Sequence, residues 1–587
     1  MKGDVTTMKR SKKLTSLIMA ALLMLSVTAC GEGASGSSEA GKDSSGENVS
    51  SSSVSASDDL FDENGRYKEP VTITYSKVMY PGAKIPADQS PEQNYINDFL
   101  KERYNIEMKL AWSAEGPEYN NKLSINIASG ELCDLMFVDN YITFRQMVEN
   151  DLLADLTEIY PKYRGATLEL VDNSFENRNI EAVTVEGKQL AVPGSNLGYA
   201  QNLLWLRKDW LDALDLEVPK TLDEIAAVLE AFVNEDPDGN GQNDTVGLVV
   251  QATNPVNGYG NNYGLESVLN AFDVFPTQWL TDDEGKVYYG STDPKMKDAL
   301  TLLADWYQRG LIDKQFPTRI GSGETTEALW TSGTAGAKFG PWWAVANANE
   351  VLANTPDIEY VAVAGPVNSK GEFNYMTGAP TGCVCVVSKE CKHPEAAIIA
   401  LAANNEIVRG TYDKNDEIAC KYGEQSLELR VSGAMNGEGG RNLDVLGALT
   451  FDYFDVVPKL SACVKDNVEN GSYTEYPGMT DYDKSECIAA KRFADGDKDE
   501  ASFWAYWARY VGGNVTEEGN PVYPAYYFET ESSTTLKAAL DKLEDEMYLQ
   551  IILGEKPVDY FDEFVSQWKA LGGDTLTEEV QAIVDQG

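Results

Sequence analysis

Histidine is nearly missing: His393 stands alone in 587 residues, within CKHPEAA at an expected helix start. One imidazole leaves no material for a histidine-based triad, an HExxH site or a histidine metal cluster. The eight cysteines form no CxxC pair. Beyond Cys30, the seven others (Cys133, Cys383, Cys385, Cys391, Cys420, Cys463 and Cys487) are odd in number and scattered, which is not a disulfide framework. Cys383, Cys385 and Cys391 lie close together, but nothing completes a metal site around them, so the thiols read as small buried apolar groups. No GxxxxGK[ST] occurs, and NGYGNNYG has GxGxxxG spacing, which misses the dinucleotide fingerprint. Basic residues are scarce, 48 against 93 acids, for a net charge of −45. Such a field repels phosphate backbones and anionic lipid heads, which argues against nucleic acid and against charge-driven binding to a bilayer.

Long apolar runs are also lacking, with one exception at the start. MKRSKKLTSLIMAALLMLSVTAC carries a basic cluster, an apolar stretch from about Leu14 to Leu25 and a run of small residues ending at Cys30. That is an export signal, too short for a membrane span. Val27-Thr28-Ala29-Cys30 resembles a bacterial lipobox, in which the cysteine is acylated and becomes the mature N-terminus; ordinary secretion with an incidental cysteine is the alternative. Residues 31–66 are Ser, Gly and acid with little to bury, a flexible leash for a lipid anchor at the outer cell surface. About 520 residues follow, enough for two sizeable lobes.

From Val71 the pattern alternates. VTITYSKVMY reads as a strand, PEQNYINDFLKERYN as a helix, IEMKLAW as a strand, EYNNKLSINIASG as a helix ending near Gly130, and DLMFVDN as a third strand. This βαβαβ order implies an α/β fold with a mainly parallel sheet and helices on both faces. Ligands of such sheets gather at the C-terminal strand ends, here Ser76 to Tyr80, Trp112, and Asp139, Asn140 and Tyr141. Further on, Thr221 and Glu224 form a capping box that opens a helix with Ile225, Val228, Leu229 and Phe232 on one stripe. Near the end, Leu536, Leu540, Leu543, Met547 and Ile551 share a helix face that stops at Gly554.

Between these lies NEDPDGNGQNDTVGL from Asn234. Counting Asp236 as position 1, Asp238, Asn240, the Gln242 carbonyl and Asp244 fall at positions 3, 5, 7 and 9 of a calcium loop, with Gly241 at the turn. Position 12 is Gly247, so the bidentate glutamate is missing. A helix enters but the β-branched TVGLVV leaves as a strand, so no helix pair exists to open, and the loop reads as a structural Ca2+ site or as an ion-free polar turn.

NLLWLRKDWLDALDLEVPKTLDEIAAVLEAF followed by DPDGNGQNDTVGL closely resembles the matching block of family 1 extracellular solute-binding proteins, the lipoprotein receptors of ABC importers in Gram-positive bacteria. YNNKLSINIASGELCDLMFVDN, DPKMKDALTLLADWYQRGLIDKQF, CKHPEAA and LQIILGEKPVDYFDEFVSQWKALGG fit the same family, in its order. The resemblance implies a two-lobed, hinged type II binding-protein fold acting as a monomer, without catalysis, that traps a solute, commonly an oligosaccharide, and delivers it to a permease. It also implies a lobe-steadying calcium on Asp236, Asp238, Asn240, Gln242 and Asp244, with Thr245 standing where relatives often have a glutamate. Crossings between lobes are expected near 198–202, 333–338 and 389–405. That divides the chain into a signal (1–29), a lipidated leash (30–66), one lobe of 67–199 and 336–395, and a second of 200–335 and 396–587.

A sugar cleft needs flat aromatic platforms beside paired carboxylates and amides. Trp342 and Trp343, placed after the Gly340-Pro341 break, are the first expectation, followed by Asp139, Asn140 and Tyr141. Tyr259 is expected at the lip with Tyr263 beside it, and Tyr506 within FWAYWARY. Trp205 in LLWLR reads as structural. Two carboxylates suffice for a glycosidase, so a carbohydrate-active hydrolase stays open, as does a receptor for a peptide or another small solute.

Overall fold

The computed structural model describes residues 60–199, 201–256, 262–319, 323–345, 348–449 and 451–585. Two sheets carry it. Their strands are β1 (Val71–Met79), β2 (Ile106–Glu115), β3 (Leu135–Val138), β4 (Val192–Pro193), β5 (Leu203–Arg207), β6 (Val246–Leu248), β7 (Ala335–Gly340), β8 (Tyr360–Val363) and β9 (Val384–Val387).

The first sheet has the order β2-β1-β3-β9-β4, as the βαβαβ reading requires for its first three strands. Val71 pairs in parallel with Ile106, Ile73 with Met108 and Tyr75 with Leu110; a bulge after Tyr75 shifts Ser76 to Trp112. Asn94 caps the helix between β1 and β2, its side chain accepting from the backbone of Ile96 and Asn97 at 3.0 Å. Gly130 ends the helix between β2 and β3 at φ 73°, a left-handed cap that suits a residue without Cβ. Alternate residues then serve two cores. Ile73, Tyr75, Leu135 and Cys385 face one, and Met136, Val138, Val384 and Val386 the other, against Tyr119, Phe144 and Met147.

The second sheet runs β8-β5-β7-β6. Within β5, Leu204 and Leu206 face the helices Leu222–Asn234, Met296–Arg309 and Ser533–Ile552, whereas Leu203 and Trp205 face the opposite core with Tyr360, Trp342 and Trp507. The capping box forms as read: the Thr221 hydroxyl accepts from the Glu224 amide at 3.3 Å and the Glu224 carboxylate from the Thr221 amide at 3.0 Å. That helix lies close on the sheet. A Cβ on Gly336 would come within 2.3 Å of the Phe232 ring, so glycine is what permits the approach.

Three expectations change. The sheets are mixed, because β9 joins β3 and β4 antiparallel and β5 joins β7 and β8 antiparallel. Strands that arrive after a lobe crossing are not bound by the βαβ rule. The chain leaves the first sheet after Pro193 and enters the second at Leu203. It stays in the second sheet through β7 and β8 and returns to the first only between Val363 and Val384, not at 333–338. The helices Pro394–Arg409 and Glu417–Val431 pack on β1 and on the first sheet's helices, so the chain does not cross at 389–405. The described residues belong to one compact unit. Cys133, Cys385, Cys391, Cys463 and Cys487 are buried free thiols. The proposed signal, the leash up to residue 59, and Cys30 lie outside the described residues.

Candidate ligand groove

Helix capping and strand ends prepare one wall. Asn140 closes β3 and caps the next helix, its carbonyl oxygen accepting from the Thr143 amide at 2.8 Å. This aims Asp139 outward, where its two oxygens accept from Asn120 (2.6 Å) and Asn140 (2.9 Å). With Tyr141 they line a cavity of about 260 Å3 whose far side is Tyr527, Phe528 and Glu529. Tyr141 and Phe528 stack at 3.8 Å between ring centres, 15° apart, and so join the first lobe to a segment held by the second. That segment is anchored where the Ala525 amide donates to the Trp279 carbonyl at 2.7 Å.

The same Tyr527, Phe528 and Glu529 continue into a second cavity of about 180 Å3 with Gln278, Trp279 and Trp568. Gln278 then opens a third, about 60 Å3, bounded by the crossing residues Gln201 and Asn202, by Glu266, and by Tyr375 and Thr377 of the second crossing. The three spaces adjoin through shared lining residues, Tyr527, Phe528 and Glu529 between the first two and Gln278 between the last two, and are taken together as the candidate groove. They lie at a strand end of the first sheet, at an aromatic shelf and at the hinge.

At the hinge end the polar groups are buried. Asn202 donates to the Glu266 carboxylate, while the Ser267 hydroxyl donates to the Asn202 carbonyl at 2.8 Å. Burial pushes the Glu266 carboxyl up to about 8, outweighing the hydrogen bonds that favour its anion, so at neutral pH it is mostly the uncharged acid. Its Oε2 and the Gln201 Oε1 are buried with no hydrogen-bond partner among the described residues, and both residues line this small space.

The first-choice platform is elsewhere. Trp342 is 5 % exposed, with the Arg509 guanidinium 4.1 Å above its ring and Trp504 6.0 Å away edge-on. Trp343 is half-buried against the same core. Gly340-Pro341 does end β7, but side chains from residues 504–509 close over the turn. Tyr506 packs against Phe493 at 4.7 Å and Tyr510 at 4.9 Å, outside the groove. Ser76 and Lys77 are fully buried, so they are not strand-end ligands; the Lys77 ammonium donates to the carbonyls of Asp444 and Val445 and burial pushes it down to about 8. Tyr259 lies outside the described residues. Tyr263 is buried at φ 74° beneath the Lys338 ammonium, 4.8 Å from its ring centre. Trp205 is structural as read, its indole donating to the Pro341 carbonyl at 3.1 Å. What the sequence reading missed is YPAYYFET at 523–530, a knot of aromatics interrupted by proline, which was the available signal.

The acidic loop joins the helix Leu222–Asn234 to β6, helix in and strand out. Asp236 takes φ 50° and accepts the Gly241 amide at 3.0 Å. The Asn240 amide nitrogen reaches both Asp238 (2.8 Å) and Asp244 (3.1 Å), while its oxygen accepts from the Gln242 amide at 2.7 Å. Asp238 sits above the ordinary carboxylate range, first through burial and further through Asp236 and Asp244, against a lowering hydrogen bond from Asn240. The Asp236 Oδ1 is buried without a partner. Crowded carboxylates, an orphaned oxygen and an amide N–H filling the space between two acids are a donor set that suits a hard cation. As arranged, no group of three or more His, Cys, Asp or Glu among the described residues gathers on one metal position. Thr245 turns away from the loop and donates to the Phe232 carbonyl at 2.7 Å, locking the loop's exit to its entry helix.

A larger cavity, about 430 Å3, opens among Ile407, Leu427, Arg430, Met435 and Tyr482, between helices and away from any strand end. Among the described residues no helix is long and apolar enough to cross a membrane.

Comparison with known proteins places these features. Residues 94–414 match the family described as bacterial extracellular solute-binding protein. Lipoprotein LipO of Bacillus subtilis (strain 168) is 23% identical over 516 residues, 86% of this chain and 91% of LipO. The polygalacturonan/rhamnogalacturonan-binding protein YtcQ of the same organism is 26% identical over 273 residues, 45% of this chain and 50% of YtcQ. The structure of an EF-hand mutant of the S. pneumoniae ABC-transporter substrate binding protein FusA, in complex with fructo-nystose, matches with a TM-score of 0.56 at 16% identity, over 88% of this chain and 99% of that one. The fold is thus the two-lobed one of these receptors, and the EF-hand in one of them hints at calcium among such proteins. YtcQ and FusA are described as binding proteins, not enzymes.

Proposed function

Because this chain belongs to the bacterial extracellular solute-binding protein family, we propose that it captures an oligosaccharide in the groove between its lobes and passes it unaltered to an ABC permease. The observation that carries the reading is this set of three adjoining cavities. It joins strand-end amides and carboxylates (Asp139, Asn140) to an aromatic shelf (Tyr141, Tyr527, Phe528, Trp279) and a hinge pocket with unpaired polar atoms. Rings take the apolar faces of sugars and the polar groups take their hydroxyls. The Tyr141–Phe528 stack spans the two lobes, so a sugar inserted there bridges them, and closure is favoured by its differential affinity for the closed state.

Cys30, acylated, holds the protein at the outer face of the membrane, and residues 31–66 give it reach. Asp236, Asp238, Asn240, the Gln242 carbonyl and Asp244 would hold a calcium ion, whose fixed positive charge would relieve the crowded carboxylates between helix and strand.

The test is incubation of purified protein with a glycan panel, followed by melting curves, product analysis and small-angle scattering. A saturable rise in melting temperature without products, together with a smaller radius of gyration, is expected. Release of cleaved sugar would make it a hydrolase, and an unchanged radius with bound sugar would refute closure.

A further inference from the structure

Resting on the reading of the groove as an oligosaccharide site, we propose that its solute is a neutral glycan, one without carboxylates. The acidic and basic side chains lining the three cavities are Asp139, Glu266, Glu529, Lys537 and Asp541. The only cation among them is already matched: the Lys537 ammonium lies 2.7 Å from the Asp541 carboxylate. Asp139 is held by the neutral amides of Asn120 and Asn140, and neither it nor Glu529 has an ion-pair partner among the described residues. Glu529 is exposed to whatever enters.

Two arginines stand near but not in the lining. Arg178 lies over the rings of Phe454 (4.9 Å) and Tyr523 (5.2 Å) and donates to the Phe175 carbonyl at 3.1 Å, and Arg145, on the helix that follows Asn140, is engaged by the Tyr141 side chain. A uronate oligomer brings one carboxylate per sugar, and recognition of carboxylates calls for unpaired, forked guanidinium donors. Here it would instead meet two uncompensated carboxylates inside a protein of net charge −45. Neutral sugar hydroxyls face no such conflict. They donate to Asp139, Glu529 and the Gln201 Oε1, and the Glu266 acid, protonated at physiological pH because burial pushes it up to about 8, gives or takes a hydrogen bond without adding charge. The polar chemistry of the groove therefore points away from the polyuronate for which one relative is named.

The experiment compares matched ligands by titration calorimetry: oligogalacturonates against the same oligomers after carboxyl reduction, beside neutral fructo-, xylo- and manno-oligosaccharides. At least one neutral series should bind saturably with an affinity that does not change with salt, and the uronates should bind at least about tenfold more weakly. The double variant D139N/E529Q, checked for an unchanged melting temperature without ligand, should narrow that gap by about threefold or more. A uronate that binds more tightly than its reduced counterpart overturns the proposal while leaving the receptor reading intact. If neither charged nor neutral glycans bind, the oligosaccharide reading itself falls, and this inference with it.

Discussion

The two sheets reach similar cores by different routes. In the first, β1, β2 and β3 follow one another with a capped helix between each pair and pair among themselves, and β9 alone returns from far along the chain to join β3 and β4. In the second, β5 pairs with β7 and β8, and β7 with β6, each joined by long excursions that carry their own helices, and the covering helix Ser533–Ile552 arrives from near the C-terminus. Each sheet also buries a lysine on a central strand. Lys77 is held by the carbonyls of Asp444 and Val445, whereas Lys338 donates to the Ala344 carbonyl under the rings of Tyr263 (4.8 Å) and Trp330 (4.5 Å). The first sheet is local in β1, β2 and β3 and closed by one distant strand, whereas the second is a convergence of distant segments throughout. The groove lies where the distant segments meet the local one.

The strongest challenge to this contrast is W205A. Trp205 is fully buried on the face of β5 that meets segments 330–362 and 503–508, so its loss should cost about 3–5 kcal/mol in denaturant unfolding and weaken sugar binding indirectly. A loss below about 1 kcal/mol would mean the distant segments do not share one core. Next comes the ion. With calcium at about a hundredfold excess over its dissociation constant, the stabilisation is about 2.7 kcal/mol, so a chelator should lower the melting temperature and D238A should erase the response; identical melting curves with and without chelator would count against the site.

Glu266 tests the hinge. Its folded-state value of about 8 lies above the ordinary 4.5, so the folded protein binds the extra proton between those values. Its contribution is fully present below pH 4.5, is lost as pH rises toward 8, and amounts to at most about 1.4 kcal/mol per pH unit. E266Q should flatten the fall in melting temperature between pH 6 and 8; a slope unaltered by the substitution would show that the carboxyl is not buried as described. The smallest effect expected is from F528A. Removing one ring of the shelf should weaken sugar binding by about 0.5–1.5 kcal/mol with little change in stability, whereas W342A should do the reverse.

Legibility followed the same division. The capping box at Thr221 and Glu224 and the helix end at Gly130 are each decided within a dozen residues, and each was readable, as was the helix-in, strand-out setting of the loop from Asp236 to Asp244. That Asp139, Asn140 and Tyr141 stand at a strand end was readable too, because a strand end in a βαβ unit is a local fact. Trp342 was misplaced because a turn at Gly340-Pro341 says nothing about whether Arg509 and Trp504 will arrive to cover it. The second and third crossings were misplaced for the same reason: AGAKFG, YVAV and VCVV are alike as strands, and only their partners assign them to a sheet.

From the chain alone came the acidic field, the alternation of helix and strand, the caps and the spacing of the acidic loop, since periodicity and capping act over a few residues. Which sheet each later strand joins, which tryptophans vanish into the core, and that Tyr527 and Phe528 meet Trp279 and Tyr141 across a groove were decided only by tertiary structure. Those contacts link segments hundreds of residues apart, and their free energy comes from burial that no local pattern contains.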